Sequence, residues 1–358
     1  MFVALDNVGR RVTLTSHAQA AEVKEGGEAF VCPACTGRVR IRNGTQVPAH
    51  FAHYQHAVCV ASEPESEEHL RGKLLLAKMG QQLGWTATLE VYVPEIQQRI
   101  DVLLTRGNDQ LALEFQCSPI STRRLRERTA GYKKLGMRVR WLLGHRYEAQ
   151  NQAVKFIRWH PELMFFTEHL DVRTGQLHQR GHQVSGRFYD RAVWPVLTRG
   201  HWVGGKTVSL PQRARQIQQG LIYRNPQMVR LQTSCYERKR NLAGCPWPVH
   251  VAQTKLLGLR LPEWALRCEW LLQFEGKRVT ERANLEFWTQ AITLSAMPLV
   301  KQRHLLAELV PAFCNVLVQA GYLEKNRKGW HWVKPLVWYA DVDHKIIDVD
   351  WQQSDAKR

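Results

Sequence analysis

Arg99-Ile100-Asp101-Val102-Leu103-Leu104 and, after a short break, Leu111-Ala112-Leu113-Glu114-Phe115-Gln116 are two apolar runs that each carry an acid inside them. Both are apolar enough to be central strands, and the Gly107-Asn108-Asp109 segment between them reads as a hairpin turn. A charge inside such a strand costs several kcal/mol unless something compensates it. Side chains alternate faces along a strand, so Glu114 and Gln116 share one face. Asp101, on the neighbouring strand, would bring a third oxygen donor to the same edge of the sheet. Clustered carboxylates repel one another unless a divalent cation lies among them. Hard oxygen donors with room for water suit Mg²⁺ or Mn²⁺, and such an ion supplies what phosphodiester hydrolysis requires, an activated water and a polarised phosphoryl oxygen. The competing reading pairs Asp101 with Arg99 or another cation and leaves Glu114 in solvent.

Working outward, residues 66–84 place Leu70, Leu74, Leu75, Ala77 and Met79 at helical spacing, with Gly84 as the stop. Glu65, His69 and Lys73 fall at i, i+4 and i+8, one face of that helix. Glu65 could add a carboxylate to the site, and His69 and Lys73 could contact phosphate or transfer protons; a solvated polar face fits the same spacing. Thr86–Val93 alternates as a further strand, residues 121–136 form a basic helix, and Val139–Leu143 reads as a buried strand. Helix, three strands, helix, strand is the order of a mixed α/β sheet with helices packed on it. The basic helix carries Arg123, Arg124, Arg126, Arg128, Lys133 and Lys134. These cations would offset the repulsion between acidic residues and a phosphate backbone, or form a solvated face.

Fifty Lys and Arg against 32 Asp and Glu give a net charge of +18, which favours a polyanionic partner, nucleic acid before membrane. Residues 1–60 carry +2, residues 61–150 carry +3 and residues 151–358 carry +13, so the excess lies away from the carboxylates. No apolar run approaches the length of a membrane span, and the first residues lack the apolar core of a signal peptide. Eight cysteines in 358 residues suit metal binding or buried thiols in a reducing compartment better than a disulfide scaffold.

The first segment reads as short strands, Phe2–Leu5 and Arg11–Leu14 about a turn, then a hairpin through Phe30, Val39 and Ile41. Within it, Cys32-x-x-Cys35 is followed by His50, His53, His56 and Cys59. Cys32, Cys35, His53 and Cys59 are the preferred set for a closed, structural Zn²⁺ site, with His50 or His56 as alternates. Buried or redox thiols beside surface histidines are the bland alternative. Cys117, Cys235, Cys245, Cys268 and Cys314 have no ligand spacing and read as buried thiols. Residues 151–170 and 212–300 read as mainly helical, with a strand-like stretch near 171–188. His304–Gly321 is amphipathic and precedes Tyr322-Leu323-Glu324 and Gly329-Trp330-His331-Trp332-Val333. That is the order of a winged helix, or of a helix and hairpin that complete a core. Arg238-Lys239-Arg240, Lys277-Arg278 and Arg327-Lys328 are the basic clusters of this half; its tryptophans sit in apolar contexts and read as core.

Several motifs, taken together, resemble those of the CoiA competence protein family. They are Phe30-Val31-Cys32-Pro33-Ala34-Cys35, His50-Phe51-Ala52-His53, Glu65-Ser66-Glu67-Glu68-His69 with Lys73, Arg99-Ile100-Asp101-Val102, Glu114-Phe115-Gln116-Cys117-Ser118, Arg128-Thr129-Ala130-Gly131-Tyr132 and Trp141-Leu142-Leu143. The resemblance covers roughly the first 150 residues. It implies a nuclease domain of the PD-(D/E)xK class, a cytoplasmic location, and a part in recombining incoming DNA during natural transformation alongside recombinase-type proteins. Within that class Asp101 and Glu114 would be the metal ligands and Glu65 the carboxylate of the first helix. Gln116 stands where the class usually has Lys. Glutamine is neither a cation nor a proton-transfer group, so either a residue such as Lys73 compensates or activity is weak.

The expected architecture is therefore an α/β plus α chain: a zinc-ribbon-like β module over 1–62, a restriction-endonuclease-like core over 63–150, and a mainly helical basic region over 151–358. The expected function is metal-dependent cleavage of single-stranded or branched DNA. The alternative is a catalytically weak DNA-binding factor that recruits recombination proteins.

Overall fold

A computed structural model describes residues 1–54, 59, 65–148, 153–184, 187–204, 208–254 and 256–348. His56 and the two expected domain boundaries lie outside the described residues. The chain divides into two compact units, Met1–His182 with Tyr189–Trp202, and Gln183–Phe188 with Val203–Arg358. No described helix is long and apolar enough to cross a membrane.

The first unit opens with a five-stranded antiparallel sheet built from β1 (Val3–Leu5), β2 (Arg11–Thr13), β3 (Phe30–Val31), β4 (Arg38–Arg42) and β5 (His50–His53). Its order is β2-β1-β3-β4-β5. Helix α1 (His17–Glu25), not anticipated from the sequence, follows β2 and is capped by Ser16. Phe2, Leu14, Phe30, Val39 and Phe51 are buried.

Next comes the region read from the two apolar runs. Helix α2 (Glu67–Gln82) is capped by Ser66, whose side chain accepts from the His69 amide. Glu65 therefore precedes the helix instead of standing on it. Strands β6 (Thr86–Val93), β7 (Gln98–Arg106) and β8 (Asp109–Gln116) form an antiparallel meander. The crossover helix α3 (Thr122–Lys134) then leads to β9 (Arg138–Leu143), which pairs parallel to β8. The apolar stripe of α2, Leu70, Leu76 and Met79, packs on Val102, Leu104, Leu113 and Phe115. The other face of the sheet gives Val93, Ile100 and Ala112 to Tyr132 of α3. Both helices stop where a glycine takes positive φ, Gly84 at +78° and Gly136 at +71°.

The sheet does not end at β9. Residues 151–170, expected to be helical, instead hold β10 (Arg158–His160) and β11 (Met164–Asp171). The aromatic-rich run Met164-Phe165-Phe166-Thr167 suits a pleated surface, and a short apolar run cannot be assigned to helix by periodicity alone. Pro161 also holds His160 in the extended region. With β12 (Gln176–Val184), β13 (Arg187–Trp194) and β14 (His201–Val203), the path runs β14-β13-β12-β11-β9-β8-β7-β6, and β10 pairs with β11.

The second unit is mainly helical: α4 (Leu210–Ile222), α5 (Pro226–Tyr236), α6 (Glu263–Phe274), α7 (Glu281–Ala291), α8 (Gln302–Gln319) and α9 (Val342–Ile347), with the hairpin β15 (Leu323–Asn326) and β16 (Gly329–Trp332). Trp247, Trp270 and Trp288 are buried, as are Cys235, Cys245, Cys268 and Cys314.

Gly72 of α2 sets the distance between that helix and the sheet, because a Cβ there would lie 2.0 Å from a ring carbon of Phe115. Gly72→Val is expected to lower the unfolding free energy by about 1–3 kcal/mol through overpacking, read as a shift in the urea midpoint; an unchanged midpoint would contradict this packing.

Candidate active site and metal centre

The backbone around Asp101 departs from a regular sheet. The β6–β7 ladder pairs Leu89 with Val102 and Val91 with Ile100, passing over Glu90, whose φ is +52°. The β7–β8 ladder begins at Val102 with Leu113. At Asp101 the side chain replaces the missing ladder bond: Oδ2 accepts from the Phe115 amide at 2.9 Å and from His69 Nε2 at 3.2 Å. Burial opposes ionisation, but His69, Lys73 and Arg128 hold the Asp101 carboxyl well below the usual carboxylate range.

Beneath this break lies a buried ion network. Lys73 Nζ is fully buried and donates to Glu65 Oε2 at 3.0 Å and to Glu90. Arg99 donates to Glu65 Oε1 at 2.7 Å, and Glu90 Oε2 accepts from the amides of Phe2 and Val3 at 2.8 and 3.2 Å. Despite burial, Lys73 is raised above its ordinary value by Glu90 and Glu65, so it stays a cation at neutral pH. Neither Lys73 nor Glu90 lines the cleft described below. Lys73 is placed to hold charge under the site.

Glu114 has a different environment. It is 1% exposed, ion-paired with Arg128 and hydrogen-bonded by the Tyr132 hydroxyl. Burial, resisted by Arg128 and aided by the charge of Asp101, pushes Glu114 up to about 8. The motif Arg128-Thr129-Ala130-Gly131-Tyr132 acquires a physical meaning here. Arg128 and Tyr132 reach Glu114, and Thr129 accepts from Trp141 Nε1 at 3.1 Å, which fixes α3 on β9. Gly131 has no Cβ to strike Gln98, which would be 2.8 Å away. The buried Nε of Arg128 has no hydrogen-bond partner among the described residues.

Asp101, Gln116, His69 and Glu65 line a cleft of about 200 Å³, together with Arg124, Arg128 and Arg146. Gln116 gives its amide nitrogen to Ser118, to the carbonyl at 2.8 Å and the hydroxyl at 3.1 Å. Its Oε1 is therefore the end left with acceptor capacity. Glu114 is not among the lining residues; it is closed off by Arg128 and Tyr132. Of the basic helix, Arg124 reaches the cleft, while Arg123, Arg126, Lys133 and Lys134 are exposed. Arg123 and Arg124 lie 3.7 and 3.8 Å from Glu127. Glu90 and Arg146 had not been anticipated, Tyr132 had been noted only within a motif, and Arg99, weighed as a partner for Asp101, pairs with Glu65 instead. A buried acid in the alternating run 86–93 was the one available signal for Glu90.

The hard oxygen donors of Asp101, Glu114 and Gln116 suit Mg²⁺ or Mn²⁺ chemically. Glu65 and Glu114, however, already have protein cations beside them, so a metal at Glu114 must take the place of Arg128.

The second centre is compact. One ligand atom from each of Cys32, Cys35, His53 and Cys59 lies within 4.8 Å of all the others. Cys35 Sγ is 3.3 Å from His53 Nε2 and Cys32 Sγ is 4.0 Å from Cys59 Sγ. A tetrahedral zinc with ordinary bond lengths needs ligand separations of roughly 3.4–3.8 Å, so the donor set fits. The knuckle is closed by Thr36 N to Cys32 O and Cys32 N to Gly37 O, both 2.9 Å. The Ala34 amide points at Cys32 Sγ at 3.4 Å, and a Cβ on Gly37 would press on Cys35 Sγ at 3.3 Å. His50 turns its Nδ1 to Pro48 O at 2.8 Å and is not in the set. This cluster could bind a metal such as zinc.

Comparison with known proteins agrees with these two regions. Residues 12–62 match the N-terminal domain of competence protein CoiA, and residues 65–174 match its nuclease-like domain. The competence protein CoiA of Bacillus subtilis (strain 168) is 37% identical over 117 residues, which is 32% of this chain and 31% of that protein. The alignment thus spans about a third of the curated relative. No solved structure matches the chain.

Replacing Lys73 by Met keeps its volume but leaves Glu65 and Glu90 without their shared cation. The expected cost is about 3–5 kcal/mol in urea unfolding; wild-type stability would show that Lys73 does not hold the network.

Proposed function

The chain belongs to the CoiA family through its N-terminal and nuclease-like domains, and we propose that its cleft hydrolyses DNA phosphodiesters with a divalent cation. The observation that carries this reading is the convergence of Asp101, Gln116, His69 and Glu65 with Arg124, Arg128 and Arg146 in one cleft. The local arrangement is read as a PD-(D/E)xK core with Gln116 at the position of the usual lysine. Asp101 and Glu114 would hold Mg²⁺ or Mn²⁺, which supplies an activated water and charge neutralisation at the phosphoryl group. Gln116 Oε1 accepts a hydrogen bond from the attacking water and orients it. Arg128, whose Nε has no partner among the described residues, would leave Glu114 to the cation and take a phosphate oxygen. Arg124 and Arg146 neutralise flanking phosphates, and Arg123, Arg126, Lys133 and Lys134 extend the contact along the backbone. His69 orients Asp101 and shares the phosphate contact. In this reading Lys73 and Glu65 position the site. The Cys32, Cys35, His53 and Cys59 centre holds structural Zn²⁺.

The setting we propose is the cytoplasm, during natural transformation. Single-stranded or branched recombination intermediates are the substrates there, and recombinase-type proteins the partners. A second reading, a DNA-binding recruiting factor with little or no cleavage, draws support from Gln116, which puts a neutral amide where the class has a lysine, and from the pairing of Arg128 with Glu114.

Purified protein with labelled single-stranded, duplex and branched DNA in Mg²⁺ or Mn²⁺ separates the two readings. Nuclease action predicts cleavage that falls at least a hundredfold in Asp101→Ala and Glu114→Ala; cleavage unchanged in both would refute the site. Metal-independent binding with no cleavage would establish the recruiting factor. Because Glu114 is pushed up to about 8, a cation must displace a proton from it below that pH. Cleavage is therefore expected to rise with pH through neutrality and level off near 8; a profile flat from 6 to 8 would contradict this. Elemental analysis is expected to give about one zinc per chain, lost in Cys32→Ser.

A further inference from the structure

The second unit contains an arrangement that the cleft does not use. Between α6 and α7, Val279 forms an antiparallel bridge with Trp330 of β16, its amide donating to Trp330 O at 3.0 Å and its carbonyl accepting from Trp330 N at 2.9 Å. Strand β16 also pairs with β15, so it lies between β15 and the single-residue bridge at Val279. Helix, strand, helix, helix, strand, strand is the winged-helix order. The close approach is enforced at Gly329, whose φ is +119° and where a Cβ would lie 2.1 Å from Val279 O. Asn284 is fully buried and joins the three helices: it accepts from Trp270 Nε1 at 2.9 Å and donates to Val310 O at 2.8 Å.

Helix α8 buries Leu305, Leu309, Phe313 and Leu317. Its exposed residues are Arg303, Ala307, Pro311, Asn315 and Gln319, with Glu308 half-buried beside them, a face with a cation at the helix start and small side chains at its middle. Residues 277–334 hold nine Lys and Arg against four Asp and Glu. Arg278, Lys301, Arg303, Arg327 and Lys328 are exposed, and no ion pair engages them among the described residues. Arg327 and Lys328 form the tip of the β15–β16 hairpin. We infer that this module is a docking surface for duplex DNA, with α8 in the major groove and the hairpin tip on the phosphate backbone.

Two physical arguments select duplex over single-stranded DNA. Holding single strands needs exposed aromatic rings for stacking, yet the large hydrophobics well exposed in this module are Leu285 and Val333, while Trp270, Trp288 and Trp330 are buried. A helix of ordinary diameter with small outward residues fits the major groove, and flanking cations fix its register on the phosphates. This surface is separate from the cleft and does not depend on its chemistry.

The test is the binding of the full chain to a fluorescein-labelled 24-base-pair DNA duplex, followed by anisotropy without Mg²⁺ or Mn²⁺, so that absent or present nuclease activity does not enter. Arg327→Glu/Lys328→Glu is expected to weaken duplex binding roughly tenfold or more and to lower the log–log salt slope by about 2. Lys24→Glu/Lys78→Glu, an equal charge change elsewhere, serves as the control, and circular dichroism verifies that each variant folds. Wild-type duplex affinity in the hairpin variant, an equal loss in the control, or an equal loss for the matching single strand would overturn the assignment. So would a preference for duplex RNA of the same length. The milder Arg303→Gln is expected to weaken duplex binding by a few-fold, and no change there would remove α8 from the contact.

Discussion

Lys73 is the cation on which the nuclease-like domain is assembled. It is fully buried, and it joins Glu65, just ahead of α2, to Glu90, at the irregular point of β6. Glu90 in turn takes the amides of Phe2 and Val3, so the same ion network attaches the N-terminal module. An isolated buried ammonium or carboxylate would be neutralised or would unfold its surroundings; an ion pair with its remaining valences filled can persist. Against the burial that opposes its charge, Asp101 is held as an anion first by His69 and then by Lys73 and Arg128. Without them the break in the sheet at Asp101 would have no charge to stabilise.

The two acids read first from the sequence end in opposite electrostatic states. Asp101 opens to the cleft, accepts a backbone amide and is held as an anion. Glu114 sits behind a guanidinium and a phenol, and burial pushes its proton affinity up. In the proposed chemistry a divalent cation offers a new partner to Glu114 and a polyanion offers one to Arg128, so either weakens the pair that holds the other. That coupling is the physical core of the proposed chemistry. It accounts for the inward position of Arg128, while Arg123, Arg126, Lys133 and Lys134 of its helix are exposed.

Legibility followed sequence distance. The strands and helices from Ser66 to Leu143 were readable because alternation, helical spacing and cap residues agree, with Ser66, Gly84, Ser121 and Gly136 each standing at an end of an element. The Cys/His cluster was readable because a Cys-x-x-Cys knuckle is a local signal, and the four residues preferred as ligands are the four that converge. Strands β10 and β11 were not, because a short aromatic-rich run carries no decisive period, whereas the strand-like stretch near 171–188 does hold β12. The partners of Glu114 and Lys73 were not either. Arg128 and Tyr132 looked like members of a basic helix, and Glu90 like an ordinary strand residue. Nothing local announces a positive φ at a glutamate or an ion pair formed across 17 residues of chain.

The central claim is that Asp101 and Glu114 share one divalent cation site. The most direct measurement is the number of Mn²⁺ ions bound per chain, followed by electron paramagnetic resonance of the zinc-loaded protein. One saturable Mn²⁺, lost in Asp101→Ala and in Glu114→Gln and bound more tightly in Arg128→Ala, is the predicted result. No saturable Mn²⁺, or Mn²⁺ bound equally well by the Asp101→Ala protein, would contradict it.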